Sequence, residues 1–139
     1  MGAEQKIRDL ARVEPAEGGW FTVYLNTRWS SEKERERVRI FVKSRLRECG
    51  QQAAEPGDRR AEEARDRIEE YVRQVVARER DEEYDGIALF ACGRQGVFEV
   101  LRCHIPFRDE VACGDRPFLR QAARVLWEGE RGVLAQVGA

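Results

Sequence analysis

Residues 87–92, Ile-Ala-Leu-Phe-Ala-Cys, are apolar at every position, whereas the rest of the chain alternates or recurs at helical spacing. A strand with one wet face alternates, so a six-residue apolar run bounded by glycines predicts a strand covered on both faces. Gly93 and Gly96 bracket a tight reversal, and residues 97–101 (Val-Phe-Glu-Val-Leu) return antiparallel beside the first strand. This β-hairpin is the centre from which the other elements are placed.

Earlier in the chain, Ile7, Leu10 and Val13 make a weak helical stripe that Pro15 and Gly18-Gly19 end. Residues 21–27 alternate, with Phe21, Val23 and Leu25 on one face, which predicts a half-buried strand. Ser31 and Glu34 then form a capping box, and Val38, Phe41, Val42, Leu46 and Cys49 recur at helical spacing up to Gly50 as C-cap. After a polar loop at 50–58, Asp58 caps a second long helix with the stripe Ala61, Ala64, Ile68, Tyr71, Val72, Val75 and Val76. Two such helices make an αα-hairpin with an exposed tip. Beyond the β-hairpin, Pro106 ends the ladder, residues 110–113 read as a short edge strand, and Gly114-Asp115-Arg116-Pro117 reads as a helix start. Phe118, Ala122, Val125 and Leu126 would line that helix, and residues 132–137 read as a last strand.

Composition narrows the classes. The 139 residues fit one domain, and 25 Lys+Arg against 26 Asp+Glu leave no global basic field. No stretch approaches a membrane span, and the first residues lack the apolar core of a signal peptide. Gly2 follows Met1, but Lys6 stands where an N-myristoylation motif needs Ser or Thr. The four cysteines, Cys49, Cys92, Cys103 and Cys113, form no C-x-x-C pair, and His104 is the one histidine. Cys103 and His104 point to opposite faces of a strand, so a zinc site is not indicated. The cysteines read as free thiols in a reducing compartment, the cytoplasm.

Charge does separate locally. Residues 28–47 hold eight bases and three acids, whereas 58–83 hold seven bases and ten acids. Arg35, Arg39, Lys43 and Arg47 stand four apart on one helical face, and Arg59 and Arg60 open the next helix. These six are the candidate RNA-binding residues, because such a cluster suits a phosphate backbone. The competing reading is that the two helices solvate themselves and pair with each other. Trp29 beside the capping box fits a hydrophobic staple or core residue better than a base-stacking platform. There is no Walker loop, G-x-S-x-G or H-E-x-x-H motif, and nothing near His104 suggests an oxyanion hole. No enzyme, cofactor, metal or small-molecule substrate is therefore expected.

Three segments in this order, Phe21-Thr22-Val23-Tyr24-Leu25-Asn26-Thr27 entering a charged helix, Asp85-Gly86-Ile87-Ala88-Leu89-Phe90-Ala91-Cys92-Gly93 with its returning strand, and Gly114-Asp115-Arg116-Pro117-Phe118-Leu119, span nearly the whole chain. Together they resemble the first domain of archaeo-eukaryotic class I peptide release factors in the form of their bacterial relatives. The resemblance implies a three-domain protein whose N-terminal domain meets the ribosome, in termination, rescue or hibernation. The family's catalytic Gly-Gly-Gln belongs to the middle domain and does not occur in this sequence, so peptidyl-tRNA hydrolysis is not carried over. The family's Asn-Ile-Lys-Ser motif does not occur at the tip, residues 50–58, so stop-codon reading is not carried over either. What remains is contact between the basic helix and ribosomal RNA through shape and phosphates.

The resulting expectation is an α+β, two-layer α/β domain with a mixed central sheet of about four to five strands and a long protruding αα-hairpin. Residues 1–131 form the domain, and 132–139 open a following domain or add a terminal strand. The expected partner is the ribosome or ribosomal RNA. The alternative is a protein-interaction or dimerisation domain, a homodimer joined by intersubunit ion pairs.

Overall fold

A computed structural model describes residues 2–51, 58–78, 80–129 and 135–138. Helix α1 (Ala3–Leu10) leads to strand β1 (Trp20–Asn26), then to helices α2 (Glu32–Gln51) and α3 (Arg59–Val76). Strands β2 (Gly86–Cys92), β3 (Val97–Cys103) and β4 (Glu110–Gly114) follow, then helix α4 (Ala123–Gly129) and the short strand β5 (Ala135–Gly138). The apolar run at 87–92 is β2, and all seven of its residues are buried, as a two-sided strand requires. It pairs antiparallel with β3 from Gly86↔Cys103 to Cys92↔Val97, and the turn closes through Gly96 N–H donating to the Gly93 carbonyl at 3.2 Å. Gly96 alone of the two turn glycines has a left-handed φ, at 65°. Gly93 serves a different need, since a Cβ there would stand 2.7 Å from the carbonyl carbon of Arg60 at the start of α3.

The sheet runs β4-β1-β2-β3, with β5 along the outer edge of β3, and every pairing is antiparallel. The expected mixed sheet is thus corrected, and the connection explains why. From the end of β1, α2 carries the chain back toward that strand's start. Helix α3 then returns it, so β2 begins beside the end of β1, at Asn26↔Gly86. One crossover helix would have delivered a parallel strand, and two deliver an antiparallel one.

Two cores lie on opposite faces of the sheet. On one face α2 and α3 bury Val38, Val42, Leu46, Ile68 and Val72 against Phe21, Val23, Leu25, Ile87, Leu89 and Val100. On the other, α1, α4 and the segment 105–122 cover Trp20, Tyr24, Phe90, Leu101 and Cys103. The two expected layers are in fact three, and β1 is buried on both faces rather than half-buried. Its polar side chains are enclosed because they find partners. The Tyr24 hydroxyl donates to the Phe118 carbonyl and accepts from Ala122 N–H at 3.3 Å, while Thr22 Oγ1 accepts from Phe118 N–H at 3.0 Å. Burial pushes the Tyr24 phenol well above its ordinary value.

Those bonds also displace the expected helix start at 114–117. Asp115, with Arg116 one of two residues expected to cap that helix, instead accepts from Gly18 N–H at 2.9 Å, and the chain reaches helical geometry only at Ala123. The start of α2 holds in part. Ser31 Oγ accepts from Glu34 N–H at 3.2 Å, but the Glu34 carboxylate reaches back to Ser30, to its N–H at 2.7 Å and its hydroxyl at 3.0 Å. Gly50 is not a C-cap, since α2 runs through it to Gln51. A Cβ at Gly50 would stand 3.1 Å from Arg65 Cζ, so the glycine admits that guanidinium.

The end of the helix pair expected to protrude is instead fastened to the sheet. Asp58 caps α3 through Arg60 and Ala61 N–H, and its other oxygen takes Arg94 of the β2–β3 turn at 2.7 Å. Arg94 reaches on to the Glu17 carbonyl at 2.9 Å. Cys49 near the end of α2 forms a disulfide with Cys113 of β4, which corrects the expectation of four free thiols. The β4–β1 register sets Cys113 opposite Phe21, on the face that α2 covers, and brings the two Cα atoms to 6.1 Å. The free-thiol argument for a reducing compartment now rests on Cys92 and Cys103 alone, both buried. The rest of the expected tip, residues 52–57, lies outside the described residues, as do residues 132–134 of the expected last strand.

Candidate nucleic-acid interface

The apolar stripe of α2, Val38, Val42 and Leu46, fixes how the helix is rotated on the sheet. Arg35, Arg39 and Lys43 stand on the flank of that stripe, and the bonds of Arg35 to carbonyls at the end of α3, with the groove that Arg39 and Lys43 line, show it to be the flank beside α3. Arg35 Nη1 donates to the Val76 carbonyl at 3.3 Å and also to the Arg78 carbonyl. It thereby satisfies carbonyls left open at the end of α3, where a cation also complements the helix dipole. Arg39 pairs with Glu36, donating through Nε at 3.0 Å, and that bond holds the Glu36 carboxyl below its usual range.

Arg39 and Lys43 also line a groove of about 250 Å³ between the helices, faced from α3 by Asp66, Glu69, Glu70 and Arg73. In this groove the two bases of α2 face acids of α3 without an ion pair across it among the described residues, and Arg39 is paired instead with Glu36 on its own helix. Arg47 is exposed one turn beyond it. Arg59 and Arg60 are exposed at the start of α3, at the same end of the helix pair. The six sequence candidates are therefore not one surface. Arg35 is committed to α3, Arg39 and Lys43 border the groove, and Arg47, Arg59 and Arg60 gather at the fastened end.

Two bases that the four-residue spacing passed over sit on the opposite side of α2. Lys33, Arg37, Ile40, Ser44 and Arg47 follow one another along the outward line, and all five are exposed. Lys33, Arg37 and Arg47 make no ion pair among the described residues. The signal that finds them is the apolar stripe itself: the free face lies half a turn from Val38, Val42 and Leu46. Ile40, 55% exposed, is the one large exposed hydrophobic side chain among the described residues.

A second cluster lies at the other end of the helix pair. Trp29, Tyr71, Tyr84 and Arg102 line a cavity of about 310 Å³. Arg102 donates to the Tyr71 hydroxyl at 3.2 Å, and its Cζ lies 5.8 Å from the Tyr84 ring centre. Asp85, just before β2, takes Arg28 at 3.1 Å and Arg80 at 2.8 Å. Trp29 is half-buried against the helix-side core, which fits the core reading, and its Nε1 has no partner among the described residues. The acids that line this cavity, Asp81 and Glu83, offset Arg78 and Arg102, so the cluster presents no field of one sign.

Arg28, with Arg80 behind it, holds the Asp85 carboxyl below the usual carboxylate range, and Arg94 together with the capping N–H groups does the same for Asp58. A depressed folded-state value means the stabilisation is complete above the ordinary carboxylate value and is lost as pH falls through the depressed one. The urea midpoint should therefore drop between about pH 5 and about pH 2. The Asp85→Asn protein, lower at neutral pH, should drop less over that window. An equal drop in both proteins would remove Asp85 from the acid response.

Among the described residues no group of three His, Cys, Asp or Glu side chains could hold a metal ion. Cys103 is fully buried, which pushes its thiol up to about 12, while the adjacent His104 is exposed. No helix of the described residues is long and apolar enough to cross a membrane. No protein-family model matches the chain, and no curated protein is similar to it.

Proposed function

We propose that this chain is a non-catalytic, ribosome- or RNA-contacting N-terminal module of a bacterial release-factor-like translation protein, working in the cytoplasm in termination, rescue or hibernation. The observation that carries the reading is the outward line of α2, where Lys33, Arg37 and Arg47 are exposed and make no ion pair among the described residues. Lys43 adds a fourth exposed cation at the margin of that line, and Arg59 and Arg60 continue it onto α3. On this reading α2 and α3 form a long αα-hairpin with its basic side turned to phosphates. A net charge of −1 is no obstacle, because three acids of α3, Asp66, Glu69 and Glu70, face the groove on the other flank of α2. The sequence resemblance supplies the partner, and the face supplies the contact.

Co-sedimentation with 70S ribosomes across a salt series tests this. Binding should weaken steeply with salt, as contacts that release counterions do. The triple reversal Lys33→Glu, Arg37→Glu and Arg47→Glu should cost about tenfold or more in affinity at low salt. Reversal of Arg39, which is already paired with Glu36, should cost much less. No binding at low salt, or equal losses from both variants, would sink the assignment of this face.

Ile40 favours a second reading, a protein-interaction or dimerisation surface, because an apolar side chain ringed by charge suits a small interface. A two-fold dimer through this line would set Lys33, Arg37 and Arg47 against their own copies, so the reading needs acidic groups from elsewhere on the partner. Light scattering at raised concentration separates the two: a dimer dissociated by Ile40→Glu would favour this reading over the first.

A further inference from the structure

We propose that Cys49 and Cys113 are a redox-active pair that exchanges with small-molecule dithiols and disulfides, and that opening it releases the last turns of α2 from the edge strand β4. The four cysteines divide sharply. Cys92 and Cys103 are wholly buried in the core on the α1 side of the sheet, out of reach of any reagent. Cys113 is exposed on β4, and Cys49 is half-buried on α2. A thiolate from solvent therefore has a sulfur to attack in the folded protein, and it is the one on the edge strand.

A second feature points the same way. The Arg65 guanidinium is packed where a side chain on Gly50 would be, with Cζ 5.7 Å from the ring centre of Phe21. Gly50 follows Cys49 in the chain, and Phe21 is the cross-strand partner of Cys113. The guanidinium thus lies against the chain neighbour of Cys49 and the cross-strand neighbour of Cys113, and makes no ion pair with any described acid. A fixed cation beside a disulfide favours the thiolate that leaves when the bond is attacked.

The exchange balances without any other reactant. One thiolate of a small dithiol attacks Sγ of Cys113, the Cys49–Cys113 bond breaks, and Cys49 leaves as a thiolate that takes a proton from water. The second thiol of the reagent then attacks the mixed disulfide and frees Cys113. The protein gains two electrons and two protons, and the dithiol becomes a cyclic disulfide; a small disulfide runs the sequence backwards.

Structurally, the bond closes a link between residues 64 apart and fastens the end of α2 that leads to residues 52–57. Beyond it, the ties at this end come from α3, through Asp58 and Arg94. Opening the bond should therefore loosen the end of α2 while leaving α3 and the β2–β3 hairpin in place.

The test is differential alkylation of the native protein with iodoacetamide, before and after dithiothreitol, read by peptide mass spectrometry together with amide hydrogen exchange. All four cysteines should resist label before reduction. Afterwards Cys49 and Cys113 should label while Cys92 and Cys103 stay protected, and exchange in the last turns of α2 should rise about tenfold or more with β2 and β3 unchanged. The Cys113→Ser protein should show the reduced pattern without reductant; should it fail to fold, the reduction arm on the native protein decides alone. Labelling of Cys49 and Cys113 before reduction would overturn the proposal. So would reduction only in denaturant, or reduction without a change in α2. No ribosome enters these measurements, so their outcome is independent of the RNA reading.

Discussion

Gly86→Ala should destabilise the protein by about 3 kcal/mol or more, although it adds one methyl group to a strand whose φ any residue can adopt. At the start of β2 the chain from β3 folds back over the sheet, and a Cβ on residue 86 would run into the Ile105 carbonyl oxygen. It would also stand 2.9 Å from Phe107 Cδ2 and 3.2 Å from the Phe107 nitrogen. Two of those three atoms are backbone, so no rotamer change relieves the clash. Ile105 and Phe107 are themselves buried, and the Phe107 ring lies 5.1 Å from that of Tyr24. Making room would disturb the core beneath. Gly96→Ala is the control: its φ of 65° is unfavourable for alanine, but nothing lies within 4 Å, so the cost should be about 1 kcal/mol. Urea denaturation measures both, and the midpoints should fall with slopes unchanged. If Gly86→Ala proved the milder of the two, segment 105–107 would not pack on β2 as described.

Ile68→Ala should cost about 4 kcal/mol, near the upper part of the range for a buried isoleucine cut back to alanine. Ile68 is wholly buried midway along α3, in the core that α2 and α3 share with the sheet. Its neighbours along the helix, Ala64 and Val72, are also buried, so the cavity has walls on every side and little freedom to collapse. Ile40→Ala removes the same atoms from an exposed position and should stay within about 0.5 kcal/mol. The contrast measures how α3 sits. If α3 stood away from the sheet, Ile68 would behave like Ile40, and the two midpoints would coincide.

The parts of this fold that can be read from the chain are those whose cause is local. The apolar run at 87–92, the glycines of its turn, Ser31 at one helix start and Asp58 at the other each state their structure within a few residues. What could not be read depends on partners distant in sequence. Thr22 and Tyr24 look like the wet side of a strand until Phe118 and Ala122 arrive to take their hydroxyls. Asp115 and Pro117 spell a helix start, but Asp115 is spent on Gly18. The bond between Cys49 and Cys113 follows from which residue of β4 lies opposite Phe21, and no spacing of cysteines encodes that register.

The candidate surface was legible to the same degree. An excess of bases on the first long helix is plain from composition, but spacing alone selected the flank rather than the outer line. Arg35, Arg39 and Lys43 share a face, yet that face is the one α3 approaches, with its own carbonyls and acids. Lys33 and Arg37 emerge only when the buried stripe of α2 is used to set the rotation of the helix.

The strand order β4-β1-β2-β3 has a consequence for the order in which the protein is made. A ribosome releases β1 early, and both of β1's neighbours, β2 and β4, are encoded well beyond the helices that follow it. During that interval a strand destined for burial on both faces has no partner, and its unsatisfied backbone is a template for mispairing with other nascent chains. The β2–β3 hairpin, by contrast, closes on itself as soon as it emerges. Folding in the cell should thus begin in the middle of the chain and recruit its N-terminal strand backwards, with chaperone demand concentrated before residue 92 leaves the exit tunnel.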